Sequence, residues 1–248
     1  MIADSKRITP MIKHIVGLTL TLLAMSSPVQ AQQAAAPDAP LPGYTFVMGS
    51  TTDREVLGKY ARTLPAIYEK YQGYYLASGG VGRGVRVLEG EFKDQSVILA
   101  KFPAMDGPNS FWWSPEYRES VEIRKGAGTF NVLKLKGTPG DLDKPTGKPA
   151  YLISIFSVKD RTKLKPYGDV AGPLLKVAGG KFILTGGRKD IELLEGEFGN
   201  KNVSIIQFPS LEALRKFYDD PAYQKVIPIR QSAGEYTILE IDGVQASN

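Results

Sequence analysis

The chain has 248 residues, 42% hydrophobic and 23% charged, with a net charge of +5; this is a globular composition with room for one large or two small domains. It has no cysteine and a single histidine, His14. Beyond His14 those absences exclude Ser-His-Asp and Cys-His catalysis, zinc held by His or Cys, and haem held by either, so any general acid or base must be Asp, Glu, Tyr or Lys.

At the N-terminus, Lys13 and His14 precede the apolar run IVGLTLTLLAM (15–25) and the small-residue stretch SSPVQA (26–31). A basic start, a short apolar core and a small-residue exit describe a secretory signal peptide, and the run is too short to span a bilayer. Cleavage is expected after Ala31, with Met11 the better initiator, which predicts a periplasmic or secreted protein. Removing residues 1–31 takes away Lys6, Arg7, Lys13 and Asp4, leaving a net charge of about +3. That weak, evenly spread charge predicts no nucleic-acid partner, and a cleaved leader leaves no stable membrane insertion. Without disulfides the exported chain must rely on its core.

Residues 32–43 (QQAAAPDAPLPG) read as a flexible tether. From Tyr44 onward the chain repeats itself. Aligning Tyr44 with Tyr151, with one extra residue near Val81, makes 26 of 93 aligned pairs identical. The longest shared stretch is LEGEF, at 88–92 and again at 194–198. Asp53-Arg54 matches Asp160-Arg161, Phe102-Pro103 matches Phe208-Pro209, and Ile123-Arg124 matches Ile229-Arg230. Identities kept in order mark a duplication. The predicted units are 44–137 and 151–243, joined by the Pro/Gly-rich linker 138–150, with a short tail at 244–248.

Each unit opens on a strand, YTFVMGS or YLISIFSV. In the first, Thr52 to Glu55 reads as a capping box, followed by a helix with Val56, Tyr60, Leu64, Ile67 and Tyr71 on one stripe. In the second, Pro166, Gly168, Gly172 and Pro173 predict a bent or split helix. A long strand follows, YYLASGG–VRVLEGEF or KFILTGG–IELLEGEF, with Gly79-Gly80 and Gly186-Gly187 read as a bulge. Then come SVILAKF or NVSIIQF, a helix interrupted at Pro221 (shorter in the first unit, where Gly107-Pro108-Asn109 intervenes), and a closing strand, TFNVLKL or EYTILEI. The order β-α-β-β-α-β is the ferredoxin-like pattern. Its strands are apolar on both faces, so the sheet must be covered on both. The predicted fold is α+β: two ferredoxin-like βαββαβ units packed sheet to sheet as an intramolecular dimeric α/β barrel, monomeric because one chain supplies both halves.

LEGEF, the strand ending in FPS (208–210), DPAY (220–223) and IPIR (227–230) resemble a family known only as domain of unknown function 1330, DUF1330. It lies in the dimeric α/β-barrel superfamily, alongside antibiotic-biosynthesis monooxygenases. The resemblance implies the same fold and no established reaction.

Candidate site residues come from what the repeat keeps. Strand alternation places Glu89 and Glu91 on one face, and a buried carboxylate needs a partner. Arg124 and Arg230, at matching positions, are the natural partners of Glu89 and Glu195. Tyr60 and Tyr117, with their mates Tyr167 and Tyr223, are suited to hold a ligand by stacking and hydrogen bonding, or to pack helix on sheet. Trp112 and Trp113, unique to the first unit, would cap a cavity, form a partner patch or fill the core. These residues predict a small-molecule ligand in a pocket between sheet and helices, with no cofactor and no metal. An alternative is a cofactor-independent oxygenase or isomerase acting on an aromatic substrate, with Glu195 as acid/base, Tyr167 as orienter and Arg230 as oxyanion partner. A third reading is a protein-interaction module using the Trp pair.

Overall fold

The computed structural model describes residues 40–245; the leader, its cleavage site and most of the tether lie outside the described residues. The first unit runs β1 (Gly43–Thr51), α1 (Arg54–Lys70), β2 (Tyr74–Val81), β3 (Gly84–Glu89), β4 (Ser96–Phe102), α2 (Gly107–Trp112), α3 (Pro115–Ile123) and β5 (Gly128–Lys136). The second runs β6 (Ala150–Val158), α4 (Leu164–Val177), β7 (Lys181–Leu184), β8 (Ile191–Glu195), β9 (Asn202–Phe208), α5 (Leu211–Tyr218), α6 (Pro221–Ser232) and β10 (Gly234–Asp242). Among the described residues no helix is long and apolar enough to cross a membrane.

Local chemistry sets the helix starts. Asp53, not Thr52, caps α1: its carboxylate accepts from the Val56 N–H at 3.0 Å. Thr52 is still tied to the end of the sheet, its N–H donating to the Ala127 carbonyl. Ser114, Ser210 and Asp220 cap α3, α5 and α6 in the same way, each satisfying an N–H that the first turn leaves free. Pro221 therefore opens a new helix. The first unit's pair, α2 and α3, is shorter by two and three residues than α5 and α6, in line with Gly107-Pro108-Asn109 standing where the second unit has Ala213-Leu214-Arg215.

Two expectations about local breaks are corrected. The helix α4 is not split; the irregularity is a 3-10 turn at Arg161–Lys163 ahead of a continuous helix. Pro166 falls in the first turn, where a missing N–H removes no intrahelical bond. Nor do the glycine pairs form bulges. The register shifts lie earlier, at Tyr75/Ala77 and Phe182/Leu184. Gly79-Gly80 and Gly186-Gly187 sit where the long strand leaves its own sheet.

That departure organises the molecule. The strand read as continuous is two strands, and the second half crosses to the other unit. β3 pairs antiparallel with β10, and β8 pairs antiparallel with β5. The ten strands form one sheet in the order β7-β9-β6-β10-β3-β2-β4-β1-β5-β8. Its two ends, β7 and β8, are consecutive in the chain, so the sheet curls on itself into a dimeric α/β barrel. Tyr44, Phe46 and Met48 of β1 meet Tyr151, Ile153 and Ile155 of β6 in the central core. Burying each such side chain contributes about 1.5–3 kcal/mol, so this shared core ties the units together. Two outer cores lie between sheet and helices. Leu194 of the second unit packs against the first unit's outer core, and Leu88 of the first against the second's.

LEGEF is the hinge of this exchange. Gly90 and Gly196 have φ of +71° and +81°, a left-handed conformation that costs a side chain energy. A Cβ there would also lie 2.3 Å from the carbonyl oxygens of Tyr236 and Phe130 respectively. The motif thus ends each crossing strand at Glu89 or Glu195, and the alternation that grouped Glu91 with Glu89 stops at the glycine.

Candidate functional site

The exchange delivers each glutamate to the opposite unit's arginine. Arg124 donates from Nη1 and Nη2 to the two carboxylate oxygens of Glu195, at 2.9 and 2.6 Å. Arg230 donates from Nη2 to Glu89 Oε1 at 2.5 Å. The tyrosines join the same two constellations. In the first, the Tyr60 and Tyr117 hydroxyls are 2.9 Å apart and the Arg124 guanidinium lies over the Tyr60 and Phe130 rings. In the second, the Tyr167 and Tyr223 hydroxyls are 3.0 Å apart and Arg230 lies over Tyr167 and Tyr236.

The eight predicted residues therefore assemble as Tyr60, Tyr117, Arg124 and Glu195 in one site, and Tyr167, Tyr223, Arg230 and Glu89 in the other. The proposed acid/base grouping of Glu195 with Tyr167 and Arg230 does not form, because Glu195 crosses to the first unit. Both of its oxygens are held by Arg124.

Burial shapes the charges. It pulls the Arg124 guanidinium down, but Glu195 and the flanking phenols outweigh it, so Arg124 stays charged. Burial likewise opposes Arg230, and Tyr223, Tyr167 and Glu89 outweigh it. Burial pushes the Tyr60, Tyr117 and Tyr223 hydroxyls up, so they are neutral donors and acceptors.

The two sites differ beside this shared frame. The first opens onto a cavity of about 260 Å³ between α1, α3 and the sheet, walled by Leu64, Tyr68, Tyr75, Phe111, Trp112 and Ile98 among others. Trp112 and Thr45 are each 2% exposed. Both residues line this cavity, and the Trp112 Nε1–H and the Thr45 hydroxyl are buried without a hydrogen-bond partner among the described residues. In the second unit their positions hold Tyr218 and Leu152. The Tyr218 hydroxyl donates to Glu89 at 2.7 Å, and Gln231 donates to the other Glu89 oxygen at 2.8 Å. Leu152 packs in the outer core. The second frame thus ties its glutamate down with Tyr218 and Gln231, while Arg230 keeps Nε and Nη1 without a partner among the described residues. Thr45 and Tyr218 escaped the sequence reading because it favoured residues the repeat keeps, and these are positions where it differs. Trp112 lines the cavity, whereas Trp113 is 62% exposed with the Arg118 guanidinium over its ring.

Family-level comparison agrees with this duplicated architecture. Residues 42–138 and 149–244 each match the family described as Domain of unknown function (DUF1330). The chain belongs to that family. No curated protein matches this DUF1330 pair. Among solved structures, a protein of unknown function from Rhodopseudomonas palustris aligns at 19% identity over 39% of this chain and 82% of its own, with a TM-score of 0.33. An anthrone oxidase-like protein aligns at 12% identity, covering 84% of this chain and 93% of its own, TM-score 0.47. A heme-binding protein from Thermus thermophilus aligns at 9% identity, covering 82% and 91%, TM-score 0.41. None of these likenesses carries chemistry across to the DUF1330 chain.

Proposed function

We propose that this protein is an exported small-molecule-binding protein whose ligand occupies the first unit's cavity. The observation that carries this is an aromatic-walled cavity lined by Trp112 and Thr45, whose Nε1 and Oγ1 atoms are buried without a partner among the described residues. A buried donor or acceptor without a partner is costly, and a ligand with a polar edge relieves that cost. Phe111, Trp112, Tyr68 and Tyr75 favour a flat, largely apolar body. The Arg124–Glu195 pair acts as a fixed wall in this reading, since its charges neutralise each other. Haem does not suit the site: the described residues contain no His or Cys, and Tyr60, Tyr117 and Arg124 are already engaged with one another or with Glu195.

Titrating hydroxylated naphthalenes and naphthoquinones against Trp fluorescence tests the reading. Binding is expected to quench and shift the Trp112 emission. Thr45→Leu, which copies the second unit's Leu152, is expected to weaken it at least tenfold without lowering the melting temperature. Equal affinity in that variant would remove the cavity from consideration. Export is tested by sequencing the N-terminus of the protein purified from its native host; a first residue of Gln32 supports it, and an uncut start at Met1 or Met11 refutes it.

A further inference from the structure

The linker between the units places a carboxylate at one end of the barrel. Asp141 Oδ2 accepts from the Tyr44 hydroxyl at 2.6 Å and from Lys101 Nζ at 3.1 Å, and Oδ1 accepts from Lys181 Nζ at 2.8 Å. The Asp141 side chain is 9% exposed and that of Lys101 is 2% exposed. Tyr44 and Lys101 are cross-strand neighbours on β1 and β4, while Lys181 opens β7 of the other unit. Three donors from two units thus enclose one carboxylate.

The internal repeat builds this cradle a second time. Tyr44 corresponds to Tyr151, Lys101 to Gln207 and Lys181 to Tyr74. Tyr151 and Gln207 are again cross-strand neighbours, on β6 and β9. The single linker supplies its carboxylate to the first cradle. At the second, the Tyr151 and Tyr74 hydroxyls are buried without a partner, and Tyr151 is 0% exposed. Both tyrosines line a cavity of about 350 Å³ whose walls also include Tyr75, Leu76, Pro145, Pro149 and Val244. Lys144 lines it too, its ammonium 5.1 Å from the centre of the Tyr74 ring. Burial, with Asp141 and Asp143 nearby, pushes the Tyr74 phenol up to about 12. Burial, with Tyr74 and Asp141, pushes Tyr151 up as well. Both hydroxyls therefore keep their protons and are available as donors. Lys101 and Lys181 are taken up by Asp141, and Lys144 is the cation that lines this cavity.

We infer that this cavity is a second binding site, taking a small carboxylic acid as its anion. The carboxylate accepts from the Tyr74 and Tyr151 hydroxyls beside Lys144, as Asp141 accepts from Tyr44 beside Lys101. The apolar body lies against Leu76, Pro145, Pro149 and Val244. The site adjoins the helix-side cavity, sharing Tyr75 and Val244 with it, but the hydroxyls that bind its ligand are different ones.

Benzoate, with benzyl alcohol as the neutral control, is the probe, titrated into the full chain by calorimetry. Saturable benzoate binding is expected, with benzyl alcohol much weaker. Tyr151→Phe and Tyr74→Phe each delete one hydroxyl and keep the ring, so each is expected to weaken benzoate about tenfold or more while leaving the melting temperature unchanged or raised. Thr45→Leu is expected to leave benzoate binding intact, so failure of the helix-side reading is distinguishable from failure here. The inference is overturned if benzoate shows no saturable binding, if either Phe variant binds it as tightly as the parent, or if benzyl alcohol matches benzoate. A crystal structure at saturating benzoate in which only water joins the two hydroxyls also overturns it.

Discussion

Arg230 is 5% exposed, and its Nε and Nη1 have no partner. Among the described residues its one countercharge is Glu89, whose side chain is 9% exposed. Glu195, by contrast, has a side chain 32% exposed beside Arg124. Removing one member of a buried pair costs about 3–5 kcal/mol, because the remaining charge is left in a poor solvent. Glu89→Gln is therefore expected to lose about 3 kcal/mol or more. Glu195→Gln should lose less, about 1–2 kcal/mol, since water reaches Arg124 where the carboxylate was. Urea midpoints of the two variants check the order; equal losses would mean that exposure does not control these pairs. That a glutamate meets an arginine was legible, because both are kept in both units. Which glutamate meets which arginine was not. The answer depends on where a strand goes after Gly80 or Gly187, and local pattern carries no information about a distant pairing partner.

The crossing strands show the same limit at the scale of elements. YYLASGG and VRVLEGEF share one alternation, so the sequence reads as a single strand. Pairing with β10 instead of continued pairing with β4 divides it. The Pro/Gly-rich linker was legible as a connection, but its role in the buried charge cluster was not. Asp141 is ordinary by sequence and becomes special only when Lys101 and Lys181 arrive from opposite units. Burial raises its carboxyl, yet hydrogen bonds from Lys181 and Tyr44 and the charge of Lys101 outweigh this and hold it below the usual range. A carboxyl lowered on folding gives stability that is complete above its unfolded value, about 3.9, and lost as pH falls through the folded value. Lys101 acts in the same sense: burial lowers it despite Asp141, so the cost of burying its charge is relieved as pH climbs from its folded value toward its unfolded one. Asp141→Asn is expected to cost about 3 kcal/mol at neutral pH. It should also flatten the acid limb below about pH 4. Chemical denaturation from pH 2.5 to 7 reads both effects, and an unchanged acid limb would show that Asp141 is not the group responsible.

For the whole molecule, the exchange raises the question of why each unit pairs with the other and not with a copy of itself. On the crossing strands, Arg86 of β3 stands opposite Glu240 of β10 and bonds it at 2.9 Å. At the mirrored place, Glu192 of β8 stands opposite Lys134 of β5, with 3.1 Å between them. Arg86 and Glu192 are equivalent under the repeat, as are Glu240 and Lys134, so the charges are inverted between units. A homodimer of first units would set Arg86 against Lys134, and one of second units would set Glu192 against Glu240. Like charges directly opposite on a sheet are destabilising; water relieves little of this at Glu240, which is 2% exposed, and Arg215 of the same unit, which also pairs with Glu240, offsets part of it. Repulsion between wrong partners is an economical route to specificity. Segments 32–143 and 144–248, produced separately and mixed, are therefore expected to form a 1:1 complex by light scattering, with neither alone giving an equally stable homodimer. Glu240→Lys in the second segment places opposite charges across its own homodimer and should shift it toward self-pairing, away from the mixed complex. If the unaltered second segment pairs with itself as stably as with the first, charge inversion does not select the partner, and the shared core of Tyr44, Phe46, Tyr151 and Ile153 would have to do so through shape alone.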